Sequence, residues 1–67
     1  MKSILTPRER QIFLQLIEGN STKQIAGALN ISEKTVRNHI SNVIQKLCVE
    51  SRMQAILELI KLKELEI

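Results

Sequence analysis

The chain has 67 residues, a net charge of +3 and a single aromatic side chain, Phe13, so it is read as one domain over residues 1–67 with an aliphatic core of the kind that packs helix on helix. The lone Cys48 excludes an internal disulfide, no apolar run approaches the ~20 residues of a membrane span, and charges recur from Lys2 to Arg10 where a secretory leader would be apolar. These features point to a reducing cytoplasm with no membrane attachment.

Thr6-Pro7-Arg8-Glu9 has the spacing of a capping box, with Pro at the first helical position where its missing N–H is harmless. It predicts a first helix whose inner face is Ile12, Phe13, Leu16 and Ile17 and which Gly19 ends. Ser21, with Gln24 three residues on, caps a second helix that buries Ile25, Ala26 and Leu29. Asn30-Ile31-Ser32 forms a short turn, and Ser32 caps a third helix with Val36, Ile40, Val43 and Leu47 as its buried stripe. Cys48-Val49-Glu50 breaks that pattern. Ser51 caps a fourth helix running to Lys61 or beyond.

The second helix, short turn and longer third helix match the motif that lays a recognition helix in a DNA major groove. At about 100° per residue, Lys34, Asn38, Ser41, Asn42 and Gln45 lie opposite the buried stripe, with Arg37 beside them. A solvated helix face ordinarily mixes Glu with Lys. This face carries Arg, Lys, Asn, Gln and Ser, whose donors and acceptors match base edges. Thr35, His39 and Lys46 line its flank, within reach of phosphate oxygens. Charge follows the same division: in residues 21–47, Lys23, Lys34, Arg37 and Lys46 stand against Glu33 alone, a local charge of +3, and residues 48–67 carry −1. Duplex DNA is therefore the expected partner.

The fourth helix has two apolar stripes, Met53, Ile56, Leu57 and Ile60 on one side and Ala55, Leu59 and Leu62 nearly opposite. One stripe suits the core; the other needs a second partner, and a copy of the same helix is expected to supply it. Met53, Ile56, Leu59 and Ile60 are the candidates for that contact. An enzyme is not expected. The chain has no Asp, and its only nucleophile–base pair, Cys48 with His39, lies nine residues apart on opposite sides of a helix. Solitary Cys48 and His39 cannot cage a metal, and the isolated Gly19 and Gly27 make no phosphate loop, so no cofactor is expected.

The segments Leu5-Thr6-Pro7-Arg8-Glu9, Lys23-Gln24-Ile25-Ala26, Ile31-Ser32-Glu33-Lys34-Thr35-Val36-Arg37-Asn38-His39 and Gln45-Lys46-Leu47 follow one another in this order. With them the chain resembles the LuxR-type DNA-binding domain from residue 4 to about residue 62. Within that family the run from Ser32 to Asn42 and the ending Glu64-Leu65-Glu66-Ile67 are similar to a stand-alone regulator of late sporulation genes. The resemblance implies an all-α, four-helix helix-turn-helix fold that dimerises through its last helix and binds two half-sites of a pseudo-palindrome. It places Arg37, Asn38 and Ser41 at groove-facing positions and Thr22, Lys23, Thr35 and Lys46 at backbone-contacting ones. With Lys34 from the reading face and His39 from its flank, these complete the candidate site. RNA polymerase is a further implied partner. An effector domain cut from a two-component response regulator would carry the same motifs. A helical protein-interaction module without DNA binding is the alternative of another class.

Two positions depart from the family pattern. Cys48 stands where Gly usually follows the third helix, so a left-handed backbone there would carry a steric cost of roughly 1–2 kcal/mol. Lys63 replaces another Gly, which predicts a fourth helix that runs on further than usual.

Overall fold

The computed structural model describes residues 3–66. Its helices are α1 (Pro7–Ile17), α2 (Thr22–Leu29), α3 (Glu33–Leu47) and α4 (Arg52–Lys61), with no strand among the described residues.

Each helix begins where a short polar side chain replaces a missing backbone partner. The Thr6 hydroxyl accepts from the Glu9 N–H at 3.1 Å while the Glu9 carboxylate accepts from the Thr6 N–H at 2.9 Å, closing the capping box with Pro7 at the first position. Ser21 and Gln24 repeat this reciprocal pair at 3.1 and 2.8 Å. Ser32 accepts from the Thr35 N–H at 3.0 Å, and Ser51 from the Gln54 N–H at 3.2 Å.

The four helix ends share one device. Gly19, Asn30, Cys48 and Lys63 all take the left-handed conformation, with φ of 92, 58, 57 and 60°. In each case the next residue's N–H bonds back into the last turn: Asn20 to Gln15, Ile31 to Ala26, Val49 to Ile44 and Glu64 to Leu59. This is the Schellman stop, in which orphan carbonyls find donors as the chain turns away. Only one of the four positions is Gly. At Lys63 the stop corrects the expectation of an extended fourth helix, because the chain leaves the helical path despite the Cβ.

Cys48 is exposed as well as left-handed, so its side chain contributes little packing. Cys48→Gly removes a steric cost of roughly 1–2 kcal/mol and adds back about half of that as unfolded-chain entropy. The expected net gain raises Tm by a few degrees in a thermal melt. A clear fall would show that the thiol packs more than it strains.

The helices close around Ile12 and Phe13 of α1, Ile25 and Ala26 of α2, Val36, Ile40 and Val43 of α3, and Ala55 and Leu59 of α4, all buried. Leu5 ahead of α1 and Leu65 beyond α4 complete this core. The turn at Lys63 brings the chain back so that Leu65 reaches the interior. Arg10 holds that segment in place: its guanidinium donates to the Glu64 carbonyl, to the Glu64 carboxylate at 3.2 Å and to Ser3 Oγ at 2.7 Å, while the Ser3 hydroxyl donates to Glu64. The hydrogen bond from Ser3, with the Arg10 charge, holds the Glu64 carboxyl below its ordinary value.

Candidate nucleic-acid interface

The α2–turn–α3 unit is built by local chemistry. Asn30 turns the chain in the left-handed region that short polar side chains tolerate. Two residues on, Ser32 starts α3, and Val36, Ile40 and Val43 pin its inner face to the core. The opposite face then has nowhere to go but solvent. Lys34, Arg37, Asn38, Ser41, Asn42 and Gln45 are all exposed. The one acidic residue of α3 is Glu33, in the first turn, where the helix dipole favours an anion.

Glu33 is more than a helix-start acid. Its Oε2 lies 3.4 Å from Arg37 Nη1 and 3.4 Å from Thr22 Oγ1. One carboxylate thus bridges the start of α2 to the candidate base-reading arginine of α3. At these distances and exposures the bridge is weak in water, so Arg37 remains free to leave it for a better acceptor.

The flank holds Thr35 and His39, both half-buried, and the exposed Lys46. Thr35 Oγ1 lies 2.9 Å from Ser32 Oγ, tying one phosphate candidate to the helix cap. Lys23 is exposed on α2 and Thr22 half-buried beside it. The structure therefore gathers Thr22, Lys23, Lys34, Thr35, Arg37, Asn38, His39 and Ser41 on the helix-turn-helix unit.

Lys46 lies on the expected flank, but its ammonium is already engaged. It donates to Glu9 Oε1 at 2.8 Å and to the Ile4 carbonyl at 2.8 Å. Glu9 is 4% exposed, the one buried charged residue among those described. Sequence reasoning found Glu9 only as a cap, because its partner is 37 residues away and no local pattern links them. Burial pushes the Glu9 carboxyl up, but hydrogen bonds from Lys46 and Thr6 and the Lys46 charge hold it below its ordinary value of 4.5. A depressed folded pKa stabilises the fold above the unfolded pKa, and that contribution is lost as pH falls through the folded value. Tm is therefore expected to drop from about pH 4.5 downward, and a Glu9→Gln variant to show a shallower acid limb in the same scan.

The two stripes of α4 are now distinguished. Leu59 and Ala55 are 0% exposed, buried in their own chain. This removes Leu59 from the candidate dimer contact: a side chain with no accessible surface cannot be shared with a partner. Met53 is 63% and Leu57 55% exposed, with Ile56 and Ile60 half-buried between them and the core. The outward stripe is Met53, Ile56, Leu57 and Ile60.

No group of three or more His, Cys, Asp or Glu among the described residues could hold a metal, and no described helix is long and apolar enough to cross a membrane.

Comparison with known proteins fits this geometry. The family model for bacterial regulatory proteins of the luxR family matches residues 3–59. The spore germination protein GerE of Bacillus subtilis (strain 168) is 56% identical over 66 residues, covering 98% of this chain and 89% of that protein. A solved structure of the transcription factor GerE superposes with a TM-score of 0.95 at 63% identity, covering 97% of each chain. The nitrate/nitrite response regulator NarP of Escherichia coli (strain K12) is 53% identical over 53 residues, which are 79% of this chain but 25% of NarP. The matched family is one of bacterial regulatory proteins. With a helix-turn-helix unit, a fourth helix and a family match over most of its length, the chain belongs to the luxR family of bacterial regulatory proteins.

Proposed function

We propose that the protein is a sequence-specific transcriptional regulator that binds pseudo-palindromic duplex DNA as a homodimer through α4. The single observation that carries this reading is the outer face of α3, exposed along its length and free of carboxylates beyond its first turn. In the major groove Lys34, Arg37, Asn38 and Ser41 read base edges, with Arg37 forking onto guanine O6 and N7. Thr22, Lys23, Thr35, His39 and Lys46 contact phosphates and fix the register. Similarity to GerE supports a place among the regulators of late sporulation genes. RNA polymerase and a cytoplasmic location accord with such a role.

The test is selection of binding sites from random duplex DNA. A two-fold symmetric motif with half-sites about 10 bp apart is expected. Recovery of no enriched motif would overturn the reading in favour of a protein-interaction module. Lys23 supplies a second check. Its ammonium makes none of the ion pairs found among the described residues. Lys23→Ala is expected to weaken specific and random duplexes alike and to flatten the plot of log affinity against log salt by about 0.9. A loss confined to the selected motif would make Lys23 a base-reading residue instead.

A further inference from the structure

We propose that Glu9 is the internal counter-ion of Lys46, so that the flank of α3 offers a phosphate one fixed hydrogen bond without adding net charge to the DNA-binding surface. The proposal rests on the DNA-binding reading above and assigns to Glu9, a residue of α1 outside the helix-turn-helix, control over sequence-independent affinity.

An ammonium has three N–H donors. In Lys46 one meets Glu9 Oε1 and another the Ile4 carbonyl, each at 2.8 Å. The third is unused within the described residues, on a side chain that is 36% exposed. The two bonds fix the position of the nitrogen. Glu9 is in turn fixed, because the same Oε1 accepts from the Thr6 N–H in the capping box. The donor that remains is therefore aimed by the fold and not by the phosphate it meets. Its charge is a separate matter. A carboxylate in direct contact cancels the ammonium at any distance much larger than their separation, leaving a dipole whose field dies away faster than that of a free cation. Affinity from counterion release depends on the charge the protein presents to the duplex. Lys23, Lys34 and Arg37 present theirs toward solvent, Arg37 against only a loose bridge to Glu33, whereas Lys46 presents a donor with its charge neutralised from behind.

The test uses Glu9→Gln. Gln is a normal partner in a capping box, so the Thr6 N–H keeps an acceptor while the negative charge is lost. The variant unmasks one cation. Against a random-sequence duplex, the plot of log affinity against log salt is expected to steepen by about 0.9, a roughly threefold greater loss of affinity between about 50 and 200 mM salt, with tighter binding at the low-salt end. The same steepening is expected on the selected motif, because the change is in charge alone. The double variant Glu9→Gln with Lys46→Met restores local neutrality and is expected to return the slope to that of the parent. Far-UV circular dichroism confirms that each variant is folded.

An unchanged or flatter slope in folded Glu9→Gln would overturn the proposal, and so would a double variant that stays as steep as the single one. Weaker binding at every salt concentration would make Glu9 a positioning residue only. A parent protein that binds no duplex would overturn the DNA-binding reading itself, a result distinct from a parent that binds while Glu9→Gln leaves its slope unmoved.

Discussion

Leu59→Glu is expected to unfold the protein, whereas Met53→Glu and Leu57→Glu leave it folded and convert it to a monomer. The contrast follows from burial on one short helix. Leu59 has no exposed surface and sits among the core side chains of all four helices. Truncating a buried Leu alone costs about 2–5 kcal/mol, and an unpaired carboxylate adds several more. A domain of this size has a total stability of only about 3–10 kcal/mol. Met53 and Leu57 are more than half exposed in the single chain, so charge there removes little from the monomer. In a symmetric pair each substitution is present twice, and each large apolar side chain left in water forfeits about 1.5–3 kcal/mol. Ile56 and Ile60 belong to the outward stripe and also pack against the core, so Glu at either weakens folding and pairing together. Solution mass and circular dichroism, measured on the same samples, separate these outcomes. Folded Met53→Glu and Leu57→Glu variants that remain dimeric would overturn pairing through α4. A parent that stays monomeric at high micromolar concentration, both free and on DNA, would do the same.

Arg37→Ala is expected to cost about 1–3 kcal/mol on the selected motif and to relax preference at one base position in each half-site. The guanidinium is exposed at the α3 surface and, among the described residues, is held only by Glu33 at 3.4 Å. Exchanging that solvated pair for a bidentate guanine contact costs little, since an exposed ion pair contributes about 0–1 kcal/mol. Binding to random duplex should fall as well, because a cation is lost, but by less than binding to the motif. Titration against the motif and against single-base variants of it provides the measurement. A variant that keeps full affinity and full discrimination would move the reading face elsewhere on α3.

Much of this was legible in the sequence because it is local. A capping box spans four residues, so Thr6 with Glu9 and Ser21 with Gln24 announce their helices without knowledge of the fold. The exposed polar face of α3 was legible for a similar reason: one helical period separates Val36, Ile40 and Val43 from Lys34, Asn38 and Ser41. Where two answers satisfied the same local rule, the sequence was silent. Both stripes of α4 are apolar, and only packing into the core of the folded chain turns Leu59 inward and leaves Met53 outward. Lys63 carries a Cβ that argues against a left-handed backbone, and the stop there makes sense only once Leu65 is seen to enter the core. Lys46 obeyed the flank pattern, but the pattern could not contain Glu9, which reaches it from another helix.

The bond network around Arg10 has a consequence for how the molecule opens. In most small domains the two ends fray separately, each with its own low free energy of exposure. Here Ser3 and Glu64 are bonded to one another and to the same guanidinium, although 61 positions separate them along the chain. Leu5 and Leu65, close in sequence to the two tied residues, are both core side chains. Releasing the segment after α4 takes Glu64 from both Arg10 and Ser3, and releasing the segment before α1 takes Ser3 from both Arg10 and Glu64. The beginning and the end of the described chain thus form one cooperative unit, a single foldon assembled from opposite ends of the sequence, whose amides share a common opening event instead of two independent ones.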